Sequence, residues 1–201
     1  ITSLLATEKG TLWIGTYGGG VYRIHEGKFQ RFSKEHGLSA KIISWIAQDK
    51  ENRIWFATIG GGLFVFKDET FTPFTVPGDL NLQVITYLFP DRRGFLWIGT
   101  EKGLNRLNPK TGKVNTYTSA NGLAGDNVRS VFEDRKGGLW IGTTSGLSFV
   151  RNRTRNLKAG KFVSVNAKSG LTGNWVRTVT EDRHGNIWIA TDRGLNRVSP
   201  Q

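Results

Sequence analysis

Short apolar runs separated by glycine, aspartate and asparagine recur along the whole chain. The clearest stretch contains four such runs, Val128–Phe132, Leu139–Thr143, Leu147–Val150 and Phe162–Val165. Runs rich in β-branched and aromatic residues and bounded by turn formers are typical of β-strands. This stretch therefore predicts four strands in an up-and-down antiparallel sheet.

The same pattern is repeated five times, and each copy carries a tryptophan followed two places later by glycine or alanine and then by threonine. The copies are Trp13–Thr16, Trp55–Thr58, Trp97–Thr100, Trp140–Thr143 and Trp188–Thr191. Their tryptophans lie 42, 42, 43 and 48 residues apart. A period in the forties built from strands is typical of propeller blades. We predict an all-β fold, a β-propeller of four-stranded antiparallel blades with about five blades present.

The repeat boundaries predict a single β-propeller domain or fragment over residues 1–201. The predicted blade repeats are approximately 1–34, 42–75, 84–118, 128–166 and 176–201. The last repeat closes after a third strand, so we expect its blade to lack the outer strand. We infer a fragment of a larger ring, and two alternatives stay open: a five-bladed ring with one three-stranded blade, or an edge completed by another protein chain.

The repeated residues themselves predict structural roles. We expect each repeated tryptophan to pack between neighbouring blades, and the small residue two places on to let adjacent sheets approach closely. The recurring turn aspartates are Asp49, Asp91, Asp134 and Asp182. We interpret them as turn residues whose carboxylates bind backbone amides.

Composition narrows the possible partners. The chain has no cysteine, which excludes disulfides and thiolate metal sites. No run approaches the ~20 apolar residues of a membrane span. The net charge of +12 favours acidic partners, although a solvated basic surface would serve solubility equally well. The densest basic tract, residues 151–161, carries five positive charges and no acid. It could bind a polyanion or a partner domain, and a solvated loop is the simpler interpretation.

Two long matches carry a resemblance to a known family. They are Asp91–Arg106 and Asp182–Arg197, which share the pattern Asp-x-x-Gly-x-Leu/Ile-Trp-Ile-Gly/Ala-Thr-x-x-Gly-Leu-Asn-Arg, and the linker Tyr117–Leu123 accompanies them. The chain resembles the two-component regulator propeller repeat family. That resemblance implies a seven-bladed parent ring and a periplasmic or extracytoplasmic sensor region of a bacterial membrane receptor. It also implies an oligosaccharide ligand and a histidine kinase or diguanylate cyclase outside this chain.

Polar residues gather where the linkers between blades meet the turns between the second and third strands. We predict ligand contacts there from seven residues, with the face chosen by analogy with other propellers: Lys41, Asn127, Asn174, Arg129, Arg177, Tyr17 and Trp175. Trp175 is the strongest candidate, because its equivalents Ile42, Val84 and Asn127 show that the repeat needs no aromatic residue there. An indole beside polar groups suits stacking on a sugar, either neutral or acidic. Filling of a gap between blades and ordinary channel lining are the alternatives.

No catalytic, metal or cofactor site is predicted. The three histidines, His25, His36 and His184, lie at unrelated spacings and match neither a zinc motif nor a catalytic triad. We expect no enzymatic activity from this segment and no nucleic-acid partner. Two other hypotheses remain: a propeller lyase, which would need a converging base, and a structural or protein-interaction array without its own ligand.

Overall fold

The structure is a computed structural model of the 201-residue chain. It describes residues 1–75, 82, 84–151 and 162–199. Residues 152–161 of the basic tract lie outside the described residues.

The described residues form strands β1 to β19, grouped into five sheets. The first sheet contains β1 (Ser3–Ala6), β2 (Leu12–Gly15), β3 (Val21–His25) and β4 (Lys28–Phe32). The second contains β5 (Ile42–Gln48), β6 (Ile54–Ile59), β7 (Leu63–Lys67) and β8 (Thr70–Pro73). The third contains β9 (Ile85–Pro90), β10 (Leu96–Thr100), β11 (Gly103–Leu107) and β12 (Val114–Tyr117).

The last two sheets follow the same plan. The fourth contains β13 (Val128–Glu133), β14 (Leu139–Thr143), β15 (Gly146–Val150) and β16 (Val163–Val165). The fifth contains β17 (Val176–Glu181), β18 (Ile187–Thr191) and β19 (Gly194–Val198) within the described part of the chain. Short 3₁₀ turns at Lys34–His36, Ser119–Asn121 and Ala167–Ser169 lie in the links between sheets.

Strands adjacent in sequence are adjacent in each sheet. The strand pairs whose register is described are antiparallel, for example Trp140 opposite Phe149 in the fourth sheet. The prediction of an all-β fold built from four-stranded antiparallel blades is confirmed. In the fourth sheet the predicted strands differ from the observed ones by one residue at single ends, because the hydrogen-bonded ladder extends to Glu133 and Gly146.

The chain divides into two compact units. Unit 1 contains residues 1–98 and 106–114, and unit 2 contains residues 99–105 and 115–201.

In unit 1 the first and second sheets pack face to face through aromatic rings. Trp13 of the first sheet lies 5.3 Å from Phe56 of the second, and Phe32 lies 5.4 Å from Phe71, measured between ring centroids. All four side chains are buried. A second core cluster in unit 1 joins Trp55 to Ile85 and Leu88 of the third sheet. Trp13 and Trp55 therefore pack between neighbouring sheets, as predicted.

In unit 2 the fourth and fifth sheets pack through a smaller and more aliphatic core. Its buried members are Trp140, Leu147, Val176, Val179, Ile187 and Ile189. Trp140 thus also packs against the next sheet, and its ring stacks on Phe149 of its own sheet at 5.0 Å. We refer to this contact as the 4/5 seam and to its counterpart in unit 1 as the 1/2 seam.

The small residue after each tryptophan lets the sheets approach. A Cβ added at Gly15 would lie 2.9 Å from Ile43 Cγ2, and one added at Gly142 would lie 2.7 Å from Val176 Cγ1. Both partners belong to the next sheet, and such distances are too short for carbon atoms in contact. The prediction of close approach is confirmed at these two positions.

The turn aspartates bind both the backbone and the repeated tryptophan. Asp134 Oδ1 accepts from the amide of Gly138 at 2.7 Å, while its Oδ2 accepts from the indole Nε1 of Trp140 at 2.8 Å. Equivalent indole bonds join Trp55 to Asp49, Trp97 to Asp91 and Trp188 to Asp182. The structural interpretation of these carboxylates is confirmed, and the indole bond explains why aspartate precedes tryptophan by six residues.

Candidate functional site

The candidate site in unit 2 begins with two turns that follow strands β14 and β18. Thr143 Oγ1 donates to the carbonyl of Gly146 at 2.9 Å, and Thr191 Oγ1 donates to that of Gly194 at 3.0 Å. Each hydroxyl oxygen also accepts from a turn amide, of Ser145 and of Arg193 respectively. The repeated threonine therefore holds these turns in place.

Each of the strands β13 and β17 carries a bulge at an arginine. The pairing register shifts between Val128 and Ser130 in one strand and between Val176 and Thr178 in the other, so Arg129 and Arg177 are the extra residues. A bulge breaks the strand alternation and redirects the side chain. The sequence analysis selected both arginines as polar candidates. It did not predict the bulge that redirects their side chains.

Trp175 lies immediately before β17 and is held through its backbone. Its amide donates to Asp192 Oδ1 at 3.2 Å, and its carbonyl accepts from the Asp192 amide at 3.0 Å. A side chain at Gly173 would collide with Asp192 and with Thr191, which keeps this loop close to the turn after β18. The indole itself remains 38% exposed. Asp192 is thus a positioning residue that the sequence analysis missed.

Two guanidinium groups lie against the Trp175 ring. The Cζ atom of Arg177 is 4.6 Å from the ring centroid, and that of Arg129 is 5.6 Å away. Both distances are within the range of cation–π attraction. Among the described residues, neither arginine has an ion-pair or hydrogen-bond partner, and Arg129 Nε is buried without one. The arrangement is an aromatic platform with two uncompensated positive charges.

The two predicted asparagines differ in what their side chains do. Asn127 Oδ1 is buried and has no hydrogen-bond partner among the described residues. Asn174 Oδ1 accepts from the amide of Ala167 at 2.8 Å, as Asp126 does from Ser119 one repeat earlier. The oxygen of Asn174 therefore stabilises the linker, whereas that of Asn127 is enclosed and not exposed to solvent.

Tyr17 and Lys41 belong to unit 1, and the five residues above belong to unit 2. Tyr17 pairs with Ile42 as an isolated bridge, and the carbonyl of Lys41 accepts from the amides of Gly18 and Gly20 at 3.0 and 3.2 Å. The Tyr17 side chain is 75% exposed. The backbone thus brings these two residues together as a separate exposed pair.

A second aromatic pair in unit 1 was not predicted. The rings of Trp45 and Tyr87 are 4.0 Å apart at their centroids, and burial raises the pKa of the Tyr87 hydroxyl. Ser130 and Thr178 hold the position equivalent to Trp45 in the fourth and fifth sheets, each opposite the small residue after the tryptophan. Trp45 thus replaces a small polar residue at this repeat position, and that difference in the sequence could have identified the pair.

At the other end of the 4/5 seam lies a cavity of about 270 Å³. Its lining includes the apolar side chains of Trp140, Ile187 and Val198 and the charged side chains of Lys136 and Glu181. Glu181 Oε2 accepts from the amide of Arg135 at 2.8 Å.

The histidines do not converge. His25 Nδ1 contacts Thr11 Oγ1 at 2.8 Å, His36 closes the turn after Ser33, and His184 lies beside Arg183. Within the described ranges, no three His, Cys, Asp or Glu side chains are grouped so that they could hold a metal ion. The same part of the chain contains no helix long and apolar enough to span a bilayer.

A family profile described as "Two component regulator propeller" matches residues 37–60, 79–102, 122–145 and 170–193. The resemblance identified from the repeated motifs is therefore confirmed. None of the curated protein sequences matches the chain.

Solved structures extend the comparison. The extracellular domain of a hybrid two-component system from B. thetaiotaomicron is 25% identical, with a TM-score of 0.82, over 98% of this chain and 26% of that one. A second such domain from the same organism is 26% identical, with a TM-score of 0.75, over 97% of this chain and 26% of that one. The chain spans about a quarter of the length of these relatives.

A virginiamycin B lyase from Staphylococcus aureus is 13% identical, with a TM-score of 0.74, and it covers 98% of this chain and 66% of that one. At that identity the similarity shows a shared fold alone. The β-propeller architecture predicted from the repeat is confirmed.

Proposed function

Because the chain is built from two-component regulator propeller repeats, we propose that it is a ligand-sensing segment of a bacterial membrane receptor. It binds an oligosaccharide outside the cytoplasm, in the periplasm. The signal passes to a histidine kinase or diguanylate cyclase that lies outside these residues.

The observation that carries the binding proposal is the exposed, fixed indole of Trp175. Surface tryptophans are uncommon, and this one is held by two backbone hydrogen bonds to Asp192. A rigid aromatic ring with polar neighbours is what carbohydrate recognition requires, because the ring packs on apolar C–H faces while the polar groups bind hydroxyls. Arg129 and Arg177 supply those polar groups.

The receptor role is supported by the solved structures that share this fold. Two structures at 25 and 26% identity are extracellular domains of hybrid two-component systems. We propose no catalysis by this segment, since His25, His36 and His184 each have a separate local contact.

Binding is tested with a panel of neutral and acidic oligosaccharides, by calorimetry on the 201-residue chain and on Trp175→Ala. We expect at least one sugar to bind, and Trp175→Ala to weaken that affinity at least tenfold, about 1.4 kcal/mol. Phe29→Ala is the matched control, because Phe29 is an exposed aromatic residue on the outer strand of the first sheet. Equal losses in both variants, or no binding by any sugar, would contradict the proposal.

A protein partner at the β19 edge is the second candidate. In the described part of the chain β19 pairs only with β18, and Leu195 is 57% exposed. A free edge with apolar side chains favours strand addition. Light scattering should then show a mass that rises with concentration, and a constant monomer mass would count against pairing between copies.

A further inference from the structure

The proposed site in unit 2 contains more positive charge than a neutral sugar needs. Arg129 and Arg177 lie against the same indole, and no carboxylate among the described residues pairs with either. Two like charges around one ring repel each other, and cation–π contacts offset only part of that cost. A bound anion would remove it.

Stacking on the ring also leaves the N–H donors of both arginines available to an anion. A guanidinium that packs by its face keeps its N–H donors in the plane, where they match the two oxygens of a carboxylate or sulfate. In this site Arg129 Nε is buried and lacks an acceptor. The nearby Asn127 Oδ1 is a buried acceptor without a donor. Because both atoms are enclosed, contact with an acidic oxygen falls to the terminal nitrogens of the two guanidinium groups.

Two other arginines that lie over aromatic rings are paired with acids. Arg23 donates to both oxygens of Glu69 at 2.6 and 2.8 Å and also lies over Trp13. Arg53 donates to Asp49 at 2.7 Å and lies over Trp55. Arg106 lacks such a partner among the described residues but is buried, so the pair around Trp175 differs in having two guanidinium groups against one exposed residue.

From these contacts we infer that the ligand is an acidic saccharide whose carboxylate or sulfate group binds between Arg129 and Arg177. This rests on the proposed carbohydrate site and specifies its substrate class. The acidic group supplies the charge selectivity, and Trp175 orients both guanidinium groups and packs against the sugar.

The test compares sugars that differ only in charge. Trigalacturonate and its methyl ester share one skeleton, and a sulfated galactose disaccharide and its desulfated form are the second pair. Calorimetry on the 201-residue chain should give about tenfold tighter binding of the acid than of its neutral counterpart in at least one pair. The pair that responds identifies carboxylate or sulfate as the recognised group.

Three variants locate the effect. Arg129→Gln and Arg177→Gln should each remove most of the preference for the acid, measured as the ratio of the affinities for the acid and for its neutral counterpart. Arg177→Lys keeps the charge but loses the planar fork, so it should retain part of the preference. Arg31→Gln is the matched control, because Arg31 also stacks on an aromatic ring, at 5.9 Å from Tyr22. It should bind as the parent does.

The outcomes separate the two proposals. If acid and neutral sugars bind equally, or if Arg31→Gln loses as much preference as the site variants, the inference is overturned and carbohydrate binding stands. If the preference of the parent chain disappears completely in high salt, it reflects long-range net charge, and the inference is also overturned. If no sugar of either pair binds, both the inference and the oligosaccharide function fail.

Discussion

The 1/2 seam and the 4/5 seam are built from the same repeat positions but filled differently. In the 1/2 seam, Trp13, Phe32, Phe56 and Phe71 form a continuous set of edge-to-face and tilted ring contacts. In the 4/5 seam, aliphatic side chains such as Val176, Val179 and Ile189 take the corresponding space around Trp140. Aromatic residues bury more apolar surface each, so the first seam is the more strongly packed.

The ends of the two seams differ as well. Arg23 lies over Trp13 and Phe32 and bonds Glu69 of the second sheet. The 4/5 seam instead has the Trp175 arginines at one end and a cavity of about 270 Å³ at the other. Copies of one repeat thus pair their arginine with an acid in the 1/2 seam and, among the described residues, leave two arginines without an acidic partner in the 4/5 seam.

The largest expected effect tests the difference in packing. Phe56→Ala in the 1/2 seam should lower the free energy of unfolding by about 3–5 kcal/mol, because it removes a fully buried ring and leaves a cavity. Val179→Ala in the 4/5 seam should cost about 2 kcal/mol, since fewer methyl groups are lost. Denaturant unfolding of both variants measures the two values, and equal losses would contradict the contrast.

A smaller effect tests whether the arginines have different roles. Arg23→Gln should lower the free energy of unfolding by about 1–2 kcal/mol, through loss of its ring contacts and its partly exposed ion pair. Arg177→Gln should change it by less than about 0.5 kcal/mol, because its side chain is exposed and unpaired. Denaturation midpoints under identical conditions provide the comparison, and an Arg177→Gln loss matching that of Arg23→Gln would make Arg177 structural.

The smallest effect is a pH dependence within the fifth sheet. The indole of Trp188 and the amide of Asn186 donate to Asp182, and these bonds hold the pKa of that carboxyl well below its usual range. A lowered pKa in the folded state contributes stability above the unfolded pKa of about 3.9 and loses it as pH falls below that value. Asp182→Asn should therefore flatten the acid side of the stability–pH curve.

Chemical denaturation between neutral and acidic pH measures this slope. His184→Gln is the control, because it changes the same turn without removing the carboxylate. An unchanged acid slope in Asp182→Asn would show that the carboxylate contributes no pH-dependent stability.

Much of the fold could be predicted from sequence because its determinants are local. Thr143 binds a carbonyl three residues away, and Asp134 binds an indole six residues away. Such contacts form inside a single repeat and recur in each copy, so the printed pattern displays them directly. Gly142 is a similar case. A side chain there would collide with Val176 of the next sheet, and the same collision recurs between Gly15 and Ile43.

The candidate site was predicted only in part. Trp175 stood out from sequence because it breaks the repeat. The sequence analysis grouped it with Tyr17 and Lys41, which lie in unit 1, and with Asn174, whose oxygen binds the linker. Asp192 was missed, because its role depends on the loop it holds and not on its place in the repeat.

The repeat by itself determined the strands, their order and the residues that pack between sheets. Each of the five copies forms one sheet and carries the side chains that contact the next sheet. The tertiary structure alone decided which arginines are paired. Arg23 meets Glu69 across 46 residues, whereas bulges direct Arg129 and Arg177 to an exposed indole. Ion pairing depends on distance in space, so the repeat does not specify it. The bulge recurs at the equivalent position between Ile43 and Trp45, but which neighbours a side chain meets there is decided by the packing of the sheets.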